Sequence, residues 1–69
     1  MSQYKVVIER GLNSFNAYTD CLVYLFCDDK KMQLYNYDAI FSRSLGEWKA
    51  RTTARHLAKA FDATIEDNL

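Results

Sequence analysis

The chain contains no proline, only two glycines and a single histidine. Without proline and with so little glycine it is neither collagen-like nor a Pro/Gly-rich low-complexity segment. A glycine-rich phosphate loop is absent. One histidine, His56, and two cysteines show no zinc-type spacing, so no metal site and no cofactor is expected. Charge of one sign is missing too: nine Lys and Arg balance nine Asp and Glu. No apolar run approaches the ~20 residues that span a bilayer, so no membrane association is expected. Lys5, Glu9 and Arg10 interrupt the first apolar stretch, so no signal peptide is expected there.

What remains is a globular composition, 49% hydrophobic and 26% charged, in 69 residues that allow one small domain, 1–69. A domain of ~60 residues buries only about 60% of its unfolded surface, so its stability is marginal. Disulfides, metals or partner subunits usually supplement so small a core. Cys21 and Cys27 lie in one apolar run that reads as a strand. Six residues at ~3.3 Å each place them roughly 20 Å apart, beyond disulfide reach. They read as reduced core thiols of a cytoplasmic protein. Self-association or a partner protein is therefore the expected supplement.

Residues 4–10, YKVVIER, alternate and are rich in β-branched side chains, which predicts a first strand. Residues 11–20 mix turn formers with apolar side chains, and a packed loop and a strand extension both fit them. Residues 21–27, CLVYLFC, form a short apolar run, and residues 32–37, MQLYNY, follow after DDKK. These predict two further strands joined as a hairpin. Closing a four-residue loop with Cys27 opposite Met32 pairs Leu25 with Leu34, Tyr24 with Tyr35 and Leu22 with Tyr37. One face then holds Val23, Leu25, Cys27, Met32 and Leu34, and the other holds Leu22, Tyr24, Phe26, Tyr35 and Tyr37. The lack of glycine favours a type I turn in that loop.

Ser44 to Glu47 reads as a capping box that opens a helix over about residues 45–63. At 100° per residue, Ala50, Ala54, Leu57, Ala58, Phe61 and Ile65 fall within about 80° of arc. Asp62, Glu66 and Asp67 oppose the macrodipole, so fraying is expected in the tail, 64–69. The fold class is α+β: a three-stranded antiparallel β-sheet with one C-terminal α-helix packed on one face, β-β-β-α.

Charge is unevenly spread. Residues 43–59 carry five bases and one acid, and residues 60–69 carry three acids and no base. Arg51, Arg55 and Lys59 form a column at i, i+4, i+8, with Lys49, Thr52 and His56 beside it and Trp48 close by. Such a column is either a solvated face or a docking face for an anionic partner, protein or phosphate. Trp48 favours docking, since Trp and Arg dominate binding hot spots; alternatively it folds over the sheet edge as peripheral core. A single helix covers one sheet face only. The other face, with Tyr24, Phe26, Tyr35 and Tyr37, would suit a second copy of the chain, another protein, or stacked single-stranded nucleic acid. Against nucleic acid stands the neutral charge balance. No titratable pair is placed for general acid–base work, so enzyme activity is not expected.

In its shortness, its β-β-β-α layout, its aromatic surface and its lack of a catalytic motif, the chain resembles the small accessory proteins of bacteriophages. These include inhibitors of host enzymes and of defence complexes, such as anti-CRISPR proteins. The resemblance implies inhibition of a larger host protein by surface occlusion and assigns no residue roles. The residues expected to touch the partner are Trp48, Arg51, Arg55 and Lys59 on the helix and Tyr24, Tyr35 and Tyr37 on the sheet. A small nucleic-acid-binding regulator and a homodimer are the alternative expectations.

Overall fold

The computed structural model describes residues 3–11, 20–38 and 42–69. Its elements are β1 (Tyr4–Gly11), β2 (Asp20–Cys27), β3 (Lys30–Tyr37), α1 (Arg43–Phe61) and β4 (Thr64–Asp67). The fold is α+β, with one helix on a four-stranded sheet of order β3-β2-β1-β4. The segment 12–19, which fits either a loop or a strand extension, lies outside the described residues.

The fourth strand corrects the expected three. The tail does not fray: Thr64 to Asp67 run parallel to β1, with Lys5 opposite Thr64 and Ile8 opposite Asp67. The helix ends at Phe61, and Asp62 takes a left-handed conformation at φ 53°. This turns the chain back toward the sheet. The acids that oppose a helix dipole are accommodated here because cations from other elements reach them. Lys5 Nζ lies 3.3 Å from Glu66, and Arg51 Nε lies 2.9 Å from Asp67. Ile65, counted in the helix stripe by spacing, instead pairs with Val6 in the sheet.

The helix begins two residues earlier than the capping box implies. Ser42 is the N-cap, and its hydroxyl accepts the Leu45 N–H at 3.2 Å. Glu47 does not reach back to Ser44; its carboxylate pairs with Arg10 and Arg51. Gly46, Ala50 and Ala54 are the buried helix residues, one turn apart. Their small size lets the helix lie close on Val6, Ile8, Cys21, Val23 and Leu25, which complete the core. Tyr4, Leu57, Phe61, Ala63 and Leu69 pack around its rim.

The β2–β3 hairpin differs from expectation in two ways. Its turn has two residues, Asp28 and Asp29, at φ 51° and 70°. Positive φ at both central positions is the type I′ pattern, and aspartate tolerates it. The Asp28 carboxylate also accepts the Gln3 N–H at 2.8 Å. Shortening the loop from four residues to two keeps the same pairing parity. A bulge then changes it: Phe26 pairs with Lys31 but Leu25 with Gln33, leaving Met32 as the extra residue. Beyond the bulge every side chain of β3 sits on the face opposite to the expected one. Tyr35 opposes Val23, Tyr37 opposes Cys21, and Leu34 opposes Tyr24. Tyr35 and Tyr37 are therefore on the helix side, packed against the core, and Leu34 is on the open side. The Tyr37 hydroxyl meets the Thr53 hydroxyl of the helix. A tyrosine suits this position because its ring packs while its hydroxyl keeps a polar partner.

Candidate partner-binding surface

The helix buries its small-residue stripe and turns a second stripe outward. Trp48 is 59% exposed and Leu45 49% exposed. Lys49, Arg55, His56 and Lys59 are exposed beside them. Trp48 does not fold over the sheet edge. From Leu45 to Lys59 this surface runs about 21 Å at ~1.5 Å per residue. Arg55 donates to the Thr52 hydroxyl at 3.3 Å, which steadies its guanidinium along the helix. The one acid of the helix, Glu47, is withdrawn toward Arg10 and Arg51, so the outward stripe of the helix carries no acid.

Arg51 has a different role from Arg55 and Lys59. Its guanidinium joins Asp67 of β4 at 2.9 Å and lies 3.9 Å from Glu47. Glu47 in turn joins Arg10 of β1. The chain Arg10–Glu47–Arg51–Asp67 thus links β1, α1 and β4. Leu45 is not among the residues expected at the interface, although its i, i+3 spacing to Trp48 is the signal that finds it.

On the open sheet face the expected group of four rings is reduced to two. Tyr24 and Phe26 lie there with ring centroids 6.0 Å apart, while Tyr35 and Tyr37 are on the other side. The Tyr24 ring is already covered by Lys31, whose Nζ lies 4.4 Å from its centroid. Burial raises the Tyr24 hydroxyl above its ordinary pKa, and a hydrogen bond to Glu9 adds to the effect. Val7, nearly buried, pairs with Tyr24 across β1 and β2, and Lys5, Glu9 and Glu66 supply charge of both signs nearby.

Cys21 and Cys27 are free. Burial pushes the Cys21 thiol up, so it is a poor nucleophile. Among the described residues no three His, Cys, Asp or Glu side chains gather as a metal site. No helix of the described residues is long and apolar enough to cross a membrane. The chain matches no family model, no curated protein and no solved structure, so its own geometry carries the functional reading.

The β4 ion pairs carry a pH prediction. A hydrogen bond from Asn68, followed by one from Lys5, holds Glu66 below its ordinary value of 4.5. A hydrogen bond from Arg51, followed by the Leu69 backbone N–H, holds Asp67 below its ordinary 3.8. A depressed carboxylate contributes stability above its unfolded pKa and loses it as pH falls through its folded pKa. Thermal stability should therefore be insensitive to these groups near neutrality and decline below about pH 4. Arg51→Gln should flatten that decline, because it returns Asp67 toward its ordinary value. Melting temperatures across the acid range check this. An acid slope unchanged in Arg51→Gln contradicts it.

Proposed function

We propose that this chain is a non-catalytic protein-binding module. It docks the outward stripe of α1 onto an acidic surface of a larger partner and modulates or inhibits that partner by occlusion. The observation that carries this is Trp48, 59% exposed on a stripe whose charges are all positive. Leaving a tryptophan in water is unfavourable, at roughly 25 cal/mol per Å² of apolar surface. A partner that covers it recovers that term, and Arg55 and Lys59 flank it with positive charge. The stripe fits within a standard interface of ~800 Å² per partner. Such a module needs no reaction of its own, since coverage of the partner's surface suffices.

Reversal of charge tests the reading. Arg55→Glu with Lys59→Glu should weaken partner binding at least tenfold, about 1.4 kcal/mol, while circular dichroism stays native. Both side chains are exposed, so the fold has little reason to respond. Unchanged affinity removes the helix from the interface. The basic stripe also suits phosphate, and salt separates the two partners. Nucleic acid binding falls steeply and linearly in log–log form with added salt, with a slope set by the number of phosphates contacted. Tyr24 gives little help to that alternative, because stacking a base on its ring would displace Lys31.

A further inference from the structure

We propose that two copies of this chain pair through the outer edge of β3, antiparallel, about a two-fold axis at Leu34. This surface is separate from the helix stripe and does not depend on the docking reading.

The two edges of the sheet are unequal. On one side β4 is four residues long and carries Glu66 and Asp67, both ion-paired. Short charged edges resist strand addition. On the other side β3 is eight residues long, and among the described residues no strand pairs with its outer edge. Met32 is 52% and Leu34 53% exposed along it. The bulge and the two lysines guard the half nearest the turn. Beyond the bulge the strand is regular, and its outward N–H and C=O groups form a template for another strand.

Symmetry and charge select the second copy as occupant. The strand starts with Lys30 and Lys31, and Asp38 follows its other end. Antiparallel pairing over the regular residues Gln33–Tyr35 of each copy turns the basic end of one strand toward the acidic end of the other, twice. Parallel pairing would set like charge against like. With Leu34 on the axis, the two Leu34 side chains become a directly opposed pair on the open face, beside Tyr24 of each copy. Gln33 then opposes Tyr35 of the second copy, and within one chain these two already hydrogen-bond at 2.8 Å. The result is a continuous eight-stranded sheet with both helices on the same face. Both Trp48 stripes stay uncovered, which makes the dimer bivalent toward a partner that presents two sites.

Analytical ultracentrifugation over a concentration series tests the pairing on the intact chain. The mass should rise from monomer toward dimer with concentration. Leu34→Lys, which sets two like charges across the axis, should hold the chain at monomer mass with native circular dichroism. A Leu34→Cys chain treated with a mild oxidant should form a covalent dimer, because opposed Cβ atoms lie ~5 Å apart. Asn36→Cys should not, because its counterpart lies off the axis. A monomer at every concentration overturns the proposal. So does a dimer that survives Leu34→Lys, or one that cross-links equally through Asn36→Cys. None of these outcomes bears on the helix stripe, which the Arg55 and Lys59 reversal tests separately.

Discussion

Truncation of Leu25 to Ala should cost about 2–5 kcal/mol, whereas the same truncation of Leu34 should cost less than about 0.5 kcal/mol. The contrast follows from the bulge. Leu25 is fully buried beneath the helix, among Val6, Val23, Ala50 and Ala54. Its removal forfeits transfer free energy and leaves a cavity that close-packed neighbours fill only in part. Leu34 is 53% exposed on the open side. A domain of this length has a net stability of roughly 3–10 kcal/mol. At ~4–8 °C per kcal/mol, Leu25→Ala should lower the melting temperature by about 10 °C or more, or unfold the chain. Leu34→Ala should move it by only a few degrees. Tyr35 and Tyr37, which pack on the core, should be costlier to truncate than Leu34. Equal costs for Leu25 and Leu34 would restore the register in which both face the helix and would refute the bulge.

Glu47→Gln should cost about 1–3 kcal/mol, more than a surface ion pair is worth. The side chains of Glu47 and Arg10 are 25% and 23% exposed, and they face each other across the helix–sheet seam. Arg10 Nη1 is buried without a hydrogen-bond partner among the described residues. Removing the carboxylate leaves a largely desolvated cation with its principal counter-charge gone. Arg51 keeps Asp67, so the loss falls on Arg10. Replacing both members, Arg10→Met with Glu47→Leu, should recover most of the stability, since a packed apolar pair substitutes well for a buried ionic one. A double-mutant cycle from denaturant unfolding measures the coupling. Simple additivity of the two single changes would show that the pair contributes nothing to holding the helix.

Local signals carried much of this fold. The β-branched run of β1 and the apolar run of β2 are short, and each lies in the observed strand to within a residue or so. The alanine spacing of α1 identified its buried stripe and, by subtraction, the outward one that bears Trp48. Two features escaped because they depend on distant partners. β4 has four residues and two acids, and by itself it reads as a frayed helix end. Lys5 and Arg51, far away in sequence, give those acids their counter-charges. Once β4 is in place, Arg51 is ion-paired with Asp67, a contact that its place in the helix column does not reveal. The faces of β3 were ambiguous for another reason. In MQLYNY, Met32 and Leu34 occupy one parity and Tyr35 and Tyr37 the other, so both faces are apolar. A single inserted residue at Met32 decides between them, and alternation cannot reveal it.

The central claim is that the Trp48 stripe binds an acidic protein. Paired affinity captures from lysate of the source organism test it most directly. One uses the native chain and the other Trp48→Ala with Arg55→Glu, both after nuclease treatment and both read by mass spectrometry. The account predicts a stoichiometric protein on the native bait that is lost from the variant. Binding that is equal on both baits, or a native bait that carries no stoichiometric protein, would contradict it.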